Sequence, residues 1–398
     1  MATFVPRIPQ LIRYIFSFFW PARTGPPPDY YPVRRLEKLN ERYVVQVKLG
    51  SGVWSSTLLV SDVTERKHKR YYAVKVLTRD ATNEHRARLM LELESMKTVR
   101  DAGPVEHLPT LLDDFEIALP RGGSHICMVM DVYGQDVATF RRSAPQKALP
   151  VYTVKKIIKQ VLRGTARLHD LGIVHTDIKP DNMLFRTERT PEDIEKWLAT
   201  LPSDQPDASY PLPPDFHWDD PPARAKDMKI VLTDLGQSQR VAPLGQQTAP
   251  LFGAFSLRAP EVILRSDFSP AIDVWAIGCI VFEMLSGRWL FHPEGGGDDW
   301  SVEDDHLAKM MELSGEQFSA AMLGRAERAK DFFDSHGNLL KIPELFHVPV
   351  ENALENYKTV SHDEAKAAAS FIQECIHLEP AERPSAAELL QHPWLHDI

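Results

Sequence analysis

The chain has 398 residues, 43% hydrophobic and 25% charged, with a net charge of −9, a composition that fits a globular protein with a sizeable core. The acid excess argues against general nucleic-acid binding, which needs a basic face, and no apolar run reaches the roughly 18 residues of a membrane span. Cys127, Cys279 and Cys375 lie apart in apolar runs and read as reduced core thiols, not as a disulfide framework or a metal site.

Residues 1–40 form an extension and linker. The first 28 carry Arg7, Arg13 and Arg23, no acid before Asp29, and an apolar stretch from Leu11 to Trp20. An acid-free, Arg-bearing apolar start reads either as a mitochondrial address or interfacial anchor, or as a tail that packs on the domain or stays disordered. Pro6, Pro9 and Pro21 shorten any helix there, and Gly25-Pro26-Pro27-Pro28 marks a linker.

From Tyr43 to Leu77 the pattern is strand-like. Tyr43 to Leu49 is rich in β-formers and runs into Gly50-Ser51-Gly52-Val53-Trp54-Ser55-Ser56-Thr57. A Gly-x-Gly turn lets backbone N–H groups approach phosphate oxygens, although alone it is also an ordinary hairpin turn. The next strand, Tyr71 to Leu77, is apolar around Lys75, and a lysine in such a strand needs a partner or ligand. Glu84 to Val99 is expected to be one helix with Leu89, Leu93, Met96 and Val99 on one face. Glu92, beside that stripe, is the preferred partner for Lys75; Glu94 reads as a solvated charge.

Ile126 to Gly134 is a buried strand ending in a turn, and Val151 to Leu168 is an amphipathic helix. The helix leads into Ile173-Val174-His175-Thr176-Asp177-Ile178-Lys179-Pro180-Asp181-Asn182, a polar turn with an Asp, a Lys two residues later and an Asn five after the Asp. Residues 187–227 hold eight prolines and ten acids and read as an inserted spacer with little independent core, with one short helix from Ile194 to Leu201. The strand Met228 to Leu232 then delivers Asp234-Leu235-Gly236. Ala259-Pro260-Glu261 and a helix from Asp273, apolar nearly all round, follow. Glu294 to Asp305 carries six acids and no Lys or Arg.

The order of glycine turn, strand Lys, helix Glu, His-x-Asp-x-Lys-x-x-Asn, Asp-x-Gly, Ala-Pro-Glu and Asp-x-Trp-x-x-Gly resembles a eukaryotic protein kinase over roughly residues 43–395. The resemblance implies an α+β, two-lobed fold: a small β-rich lobe at 41–134 and a large, mainly helical lobe at 135–398. In detail the chain is similar to the SR-protein kinases, particularly their short fungal members. The shared features are Thr176 where most kinases have Arg, Leu235 in the Asp-x-Gly motif, Ser55 at the third glycine position, and a spacer interrupting the core. Ala259-Pro260-Glu261 is instead the general kinase form, and Thr57 stands where kinases usually place Val. The segment around Phe332 has few of the acids expected of an arginine-binding groove.

This resemblance implies transfer of the ATP γ-phosphoryl group to a Ser or Thr hydroxyl; the alternatives are a pseudokinase or ATP-binding scaffold, or a Ser/Thr kinase without arginine preference. Leu49, Gly50, Ser51, Gly52, Val53, Ser55, Thr57, Ala73, Met130, Asp131 and Tyr133 would surround ATP. Lys75, fixed by Glu92, would hold its phosphates, while Asn182 and Asp234 would hold Mg2+. Asp177 would accept the substrate proton and Lys179 would offset charge on the moving group. Asp273 is expected to brace the catalytic loop and Glu261 to pair with Arg383. Without the usual Arg at 176, a phosphate on Ser238, Thr248 or Ser256 lacks its docking cation, so activity is expected without activation-loop phosphorylation. The implied partners are protein substrates, Arg/Ser-rich splicing factors among them, attracted by the acids of 294–305 and by Asp136. No nucleic acid or membrane span is expected, and the protein is expected to be a monomer. Its location is expected to be cytoplasmic and nuclear, or mitochondrial or membrane-associated through residues 1–28.

Overall fold

Alternation of apolar residues from Tyr43 onward builds an antiparallel sheet. The computed structural model describes residues 30–396, apart from 65–68, 104, 121, 203–207 and 242–252. Six strands, β1 (Lys38–Leu39), β2 (Tyr43–Ser51), β3 (Ser55–Asp62), β4 (Tyr71–Leu77), β5 (Leu111–Ala118) and β6 (Ser124–Met130), lie in the order β1-β2-β3-β4-β6-β5. Each pairing is antiparallel. The period of two gives the sheet distinct faces. Tyr72, Val74 and Val76 join Leu58, Val60, Cys127 and Val129 on the outer face, which Tyr31 covers. Lys75 and Leu77 point to the other face, toward the rest of the molecule.

Between β4 and β5 the expected single helix is two: α1 (Arg79–Arg86) and α2 (Glu92–Asp101). Arg88 sits at φ 58° and ends the first, and His85 Nε2 pairs with Glu94 Oε2 at 2.7 Å across the break. Leu89, expected on the buried face, is therefore 72% exposed. Leu93, Met96 and Val99 are buried as expected. Glu94 is not a free solvated charge.

A short strand β7 (Tyr133–Asp136) and helix α3 (Val137–Arg142) follow β6, and then comes α4 (Val151–Asp170). Val154, Ile157, Ile158, Val161, Leu162 and Leu168 of α4 are all in the core. The chain then forms β8 (Ile173–Val174) and β9 (Met183–Arg186).

The insert contains a helix, α5 (Pro191–Ala199), which starts three residues before the expected position. Thr190 and Asp193 form a capping box there, and Pro191 occupies the first turn. The insert's apolar residues are not idle. Ile194, Leu198 and Leu212 form a cluster with Val47, Leu59, Tyr71 and Val132, and Phe216 packs on Phe185, with ring centroids 5.6 Å apart. Ser209 bridges to Lys48, and the Tyr210 N–H donates to Lys48 O at 2.8 Å. The core of the spacer is thus shared with the β-sheet and with Val132, just after β6.

Beyond the insert, β10 (Ile230–Leu232) pairs with β9, and β11 (Gln239–Arg240) pairs with β8. Helix α6 (Ala271–Ser286) has every residue from Ile272 onward buried. A Cβ at Gly278 would come 2.5 Å from the Cβ of Cys375, so the absence of a side chain allows the close crossing. Helices α7 (Val302–Ser314), α8 (Val350–Tyr357) and α9 (His362–Cys375) complete this region. Among the described residues no helix is long and apolar enough to cross a membrane.

Candidate active site

The strand alternation that buries Val74 and Val76 sends Lys75 to the inner face, where it meets two carboxylates. Its ammonium bonds Glu92, the first residue of α2, and Asp234 Oδ1 at 2.8 Å. Burial opposes the charge on Lys75, but Asp234 and Glu92 outweigh it and hold the lysine above its ordinary range. Lys75 in turn lowers Asp234 to about 2. Burial pushes Glu92 up against the pull of Lys75. Asp234 stands at φ 66°, in the left-handed region that Asp tolerates.

The polar turn after β8 is tied internally. Lys179 Nζ donates to Asp177 Oδ2 at 2.7 Å. Asn182 Nδ2 donates to the Asp177 backbone oxygen at 2.9 Å and to its Oδ2 at 3.2 Å, so the Asn182 amide nitrogen faces Asp177 and its Oδ1 remains a potential metal ligand. His175 is buried. Its Nδ1 accepts the Asp177 N–H at 3.3 Å, which assigns the proton to Nε2, and Nε2 donates to Thr233 O at 3.0 Å. Asp273 accepts the N–H groups of both His175 and Thr176 at 2.8 Å, the bracing expected from the sequence. Glu261 and Arg383, both fully buried side chains, form a bidentate pair at 2.7 and 2.9 Å.

The glycine turn lies between β2 and β3, with Gly50 opposite Thr57 and Ser51 opposite Ser56. Thr57 is also opposite Lys75, so the two side chains share a face. Ala73 is opposite Met130, which brings β4 and the start of the Asp131–Tyr133 hinge together. Leu49 packs at the edge of the cluster formed with the insert. A Cβ added at Gly50 or Gly52 meets no atom within 4 Å, so packing within the chain does not demand glycine there. The donor set also fits a magnesium nucleotide: the Asp234 carboxylate is held ionised, the Asn182 amide oxygen is a potential oxygen donor, and Lys75 is kept cationic.

Other expectations are redistributed. Ser238 is fully buried and bonds Ser95 Oγ at 2.9 Å and Leu235 O at 2.8 Å, so it is not an accessible phosphorylation site. Ser256 is half-buried, and Thr248 lies outside the described residues. Asp136 caps α3 by accepting from Thr139 N at 2.6 Å. Of the six acids in 294–305, Asp304 is buried in a capping box with Ser301 and pairs with Lys341 at 3.0 Å. Asp305 pairs with Lys309. Glu294, Asp298 and Asp299 are exposed. Sequence reasoning missed the bond between Ser95 and Ser238, and the one from Arg240 Nη2 to Thr98 Oγ1 at 2.6 Å. Both tie α2 to the segment after Asp234, and no local motif announces them.

Residues 43–395 match the protein kinase domain family. Among known proteins, the chain is 28% identical to the serine/threonine-protein kinase SRPK of Physarum polycephalum, over 93% of this chain and 89% of the relative. It is 26% identical to protein kinase dsk1 of Schizosaccharomyces pombe, over 93% and 83%. It is 25% identical to SRSF protein kinase 3 of Mus musculus, over 92% and 88%. With the sheet, the helical lobe and the Lys75–Glu92–Asp234 cluster beside the Asp177 loop, these matches establish that the chain belongs to the protein kinase family and is a serine/threonine protein kinase with the two-lobed kinase fold.

Proposed function

We propose that this kinase transfers phosphoryl groups to serines in Arg-rich protein segments, Arg/Ser-rich splicing factors being the substrate class. The observation that carries the reaction is the joining of Lys75 to both Glu92 and Asp234, beside a loop in which Asp177 is tied to Lys179 and Asn182. Bound ATP with Mg2+ would supply the transferable group and neutralise its charge. Asp234 and Asn182 would hold the metal. Lys75 would hold the α- and β-phosphates, its position fixed by Glu92. Backbone N–H groups from Gly50 to Ser55 would cover the phosphates. Leu49, Thr57, Ala73 and Met130 would enclose the adenine, and backbone groups of Asp131 and Tyr133 would bond it. Asp177 orients the substrate hydroxyl and accepts its proton, and Lys179 offsets charge on the moving group. The reaction needs alignment and charge placement more than covalent help.

The arginine preference is supported by the names of the relatives and by Glu294, Asp298 and Asp299, which stand exposed before α7. Carboxylates in that position attract guanidinium groups. Arg-Ser repeat, Lys-Ser repeat and neutral Ser peptides should be compared at equal concentration, with wild type and Asp177→Ala. The Arg-Ser peptide should be the best substrate of wild type, and the variant should transfer to none. Equal rates on the three peptides would sink the arginine preference; full activity in Asp177→Ala would sink the assignment of the base. Such substrates put the enzyme's work in the cytoplasm and nucleus, and imaging fusions with and without residues 1–28 would reveal any address in that segment.

A further inference from the structure

Tyr30 precedes the matched kinase residues, yet its side chain reaches the phosphate-covering turn. The next residue, Tyr31, is 9% exposed and packs edge-on to His125, with centroids 5.5 Å apart, while its hydroxyl donates to Glu37 Oε1 at 2.7 Å. Tyr31 belongs to the outer-face cluster with Val74 and Val76, on the side of the sheet opposite Lys75. From this anchor the Tyr30 hydroxyl extends over the turn between β2 and β3. It donates to the carbonyl oxygens of Gly52 and Val53, the latter at 3.0 Å.

That contact fixes the direction of two N–H groups. In a planar trans peptide, the carbonyl of one residue and the N–H of the next point opposite ways. No cis peptide bond occurs among the described residues. Drawing the Gly52 and Val53 carbonyls toward Tyr30 therefore points the N–H groups of Val53 and Trp54 away from it. The ends of the turn are already held: the Gly52 N–H donates to Ser55 O at 2.9 Å, and Trp54 O accepts the Thr78 N–H at 2.8 Å. Between those ends, Val53 is 51% exposed, and a Cβ at Gly52 would meet nothing. Trp54 packs against the core, but Val53 and Gly52 do not, and at those two residues the Tyr30 hydroxyl supplies the contact.

We propose that Tyr30 is a positioning residue for phosphoryl transfer, setting the Val53 and Trp54 N–H groups in place to receive the nucleotide phosphates before they bind. This inference rests on the nucleotide site described under Proposed function. Donors oriented in advance are not reorganised when the ligand arrives, and that saving appears as affinity. A donor set that meets the phosphates alike in the ground and transition states changes KM and not kcat.

The test compares full-length wild type, Tyr30→Phe and Tyr31→Phe. Tyr30→Phe removes only the hydroxyl. It is expected to raise KM for ATP about three- to tenfold, the range of one lost hydrogen bond, with kcat, KM for peptide and Tm unchanged. Tyr31→Phe lowers Tm and leaves KM for ATP alone. A Tyr30→Phe enzyme with wild-type KM for ATP overturns the proposal, as does one whose ATP and peptide KM values rise together with a fall in Tm. Direct titration with ATP separates this from the reading beneath it. If wild type binds ATP but transfers nothing, the assigned chemistry fails while the ratio of dissociation constants still decides the role of Tyr30.

Discussion

The carboxylate of Asp273 accepts the backbone N–H of Thr176 at 2.8 Å, and its second oxygen takes the His175 N–H at 2.8 Å and His169 Nε2 at 2.9 Å. Thr176 stands at φ 68°. A β-branched residue in the left-handed region costs about 1–2 kcal/mol, so the loop needs an external hold, and Asp273, 1% exposed, supplies it. Asp273→Ala leaves buried N–H groups without acceptors, at roughly 1–3 kcal/mol each. It is expected to lower Tm by several degrees and to cut kcat by about a hundredfold or more through the displaced Asp177. Asp273→Asn keeps one acceptor oxygen and should fall between. A kcat within threefold of wild type for the alanine variant would overturn this role.

Thr176 Oγ1 donates to Gln237 O at 2.8 Å. Together with the Ser95–Ser238 bond and the Arg240–Thr98 bond, it joins the catalytic loop, α2 and the segment after Asp234 without a phosphate. The enzyme should therefore retain most of its activity after phosphatase treatment, and Ser95→Ala should weaken activity whether or not the protein is phosphorylated. The measurement is the initial rate before and after treatment, with phosphate content followed by mass. Loss of most activity on dephosphorylation contradicts this reading.

The charged residues within one turn or one strand were legible because their relations are local or periodic, whereas the ties of Lys75 to Asp234, of Asp273 to the loop and of Glu261 to Arg383 were legible only through the family resemblance. Asp177, Lys179 and Asn182 share one turn, and the alternation of β4 decides which way Lys75 points. The break between α1 and α2 was not legible: no Gly or Pro stands there, and the turn at Arg88 is accompanied by the His85–Glu94 pair across it. Composition misled over the insert, because proline and acid content reads as a spacer. Ile194, Leu198 and Leu212 acquire a core only where Val47, Leu59 and Tyr71 come beside them. Nor does any motif reveal that Asp304 and Asp305 are engaged by Lys341 and Lys309.

Lys75 is the cation on which two carboxylates depend. Asp234, lowered to about 2 from 3.8, contributes stability that is present above the unfolded value and is lost as pH falls toward 2. In Lys75→Met, Asp234 and Glu92 face each other without the cation, and burial already raises Glu92. Their folded pKa values then rise, so the variant loses stability as pH climbs from about 4.5 through those raised values. The Tm gap between wild type and Lys75→Met is expected to widen from pH 5 to pH 7.5, with phosphoryl transfer reduced by about a hundredfold or more. A gap that is constant with pH would sink the coupling.

His306, in the second turn of α7, is fully buried between Phe255 and Phe291, with centroids at 5.2 and 5.4 Å. Neither ring nitrogen has a hydrogen-bond partner among the described residues. Burial first, and then the Arg258 and Lys309 cations, lower its pKa to about 3 from 6.5. Between those values the unfolded chain binds a proton that the folded protein does not. Stability is thus full above about pH 6.5 and declines as pH falls, by at most about 1.4 kcal/mol per pH unit from this group. His306→Leu removes both the titration and two unpartnered polar atoms in an apolar site. The variant should be at least as stable as wild type at pH 7.5 and should lose less stability on going to pH 4.5. Acid-sensitive groups common to both proteins cancel in the difference, so parallel stability curves for the two would refute a buried neutral histidine as the source of acid lability beneath the segment that carries Phe255.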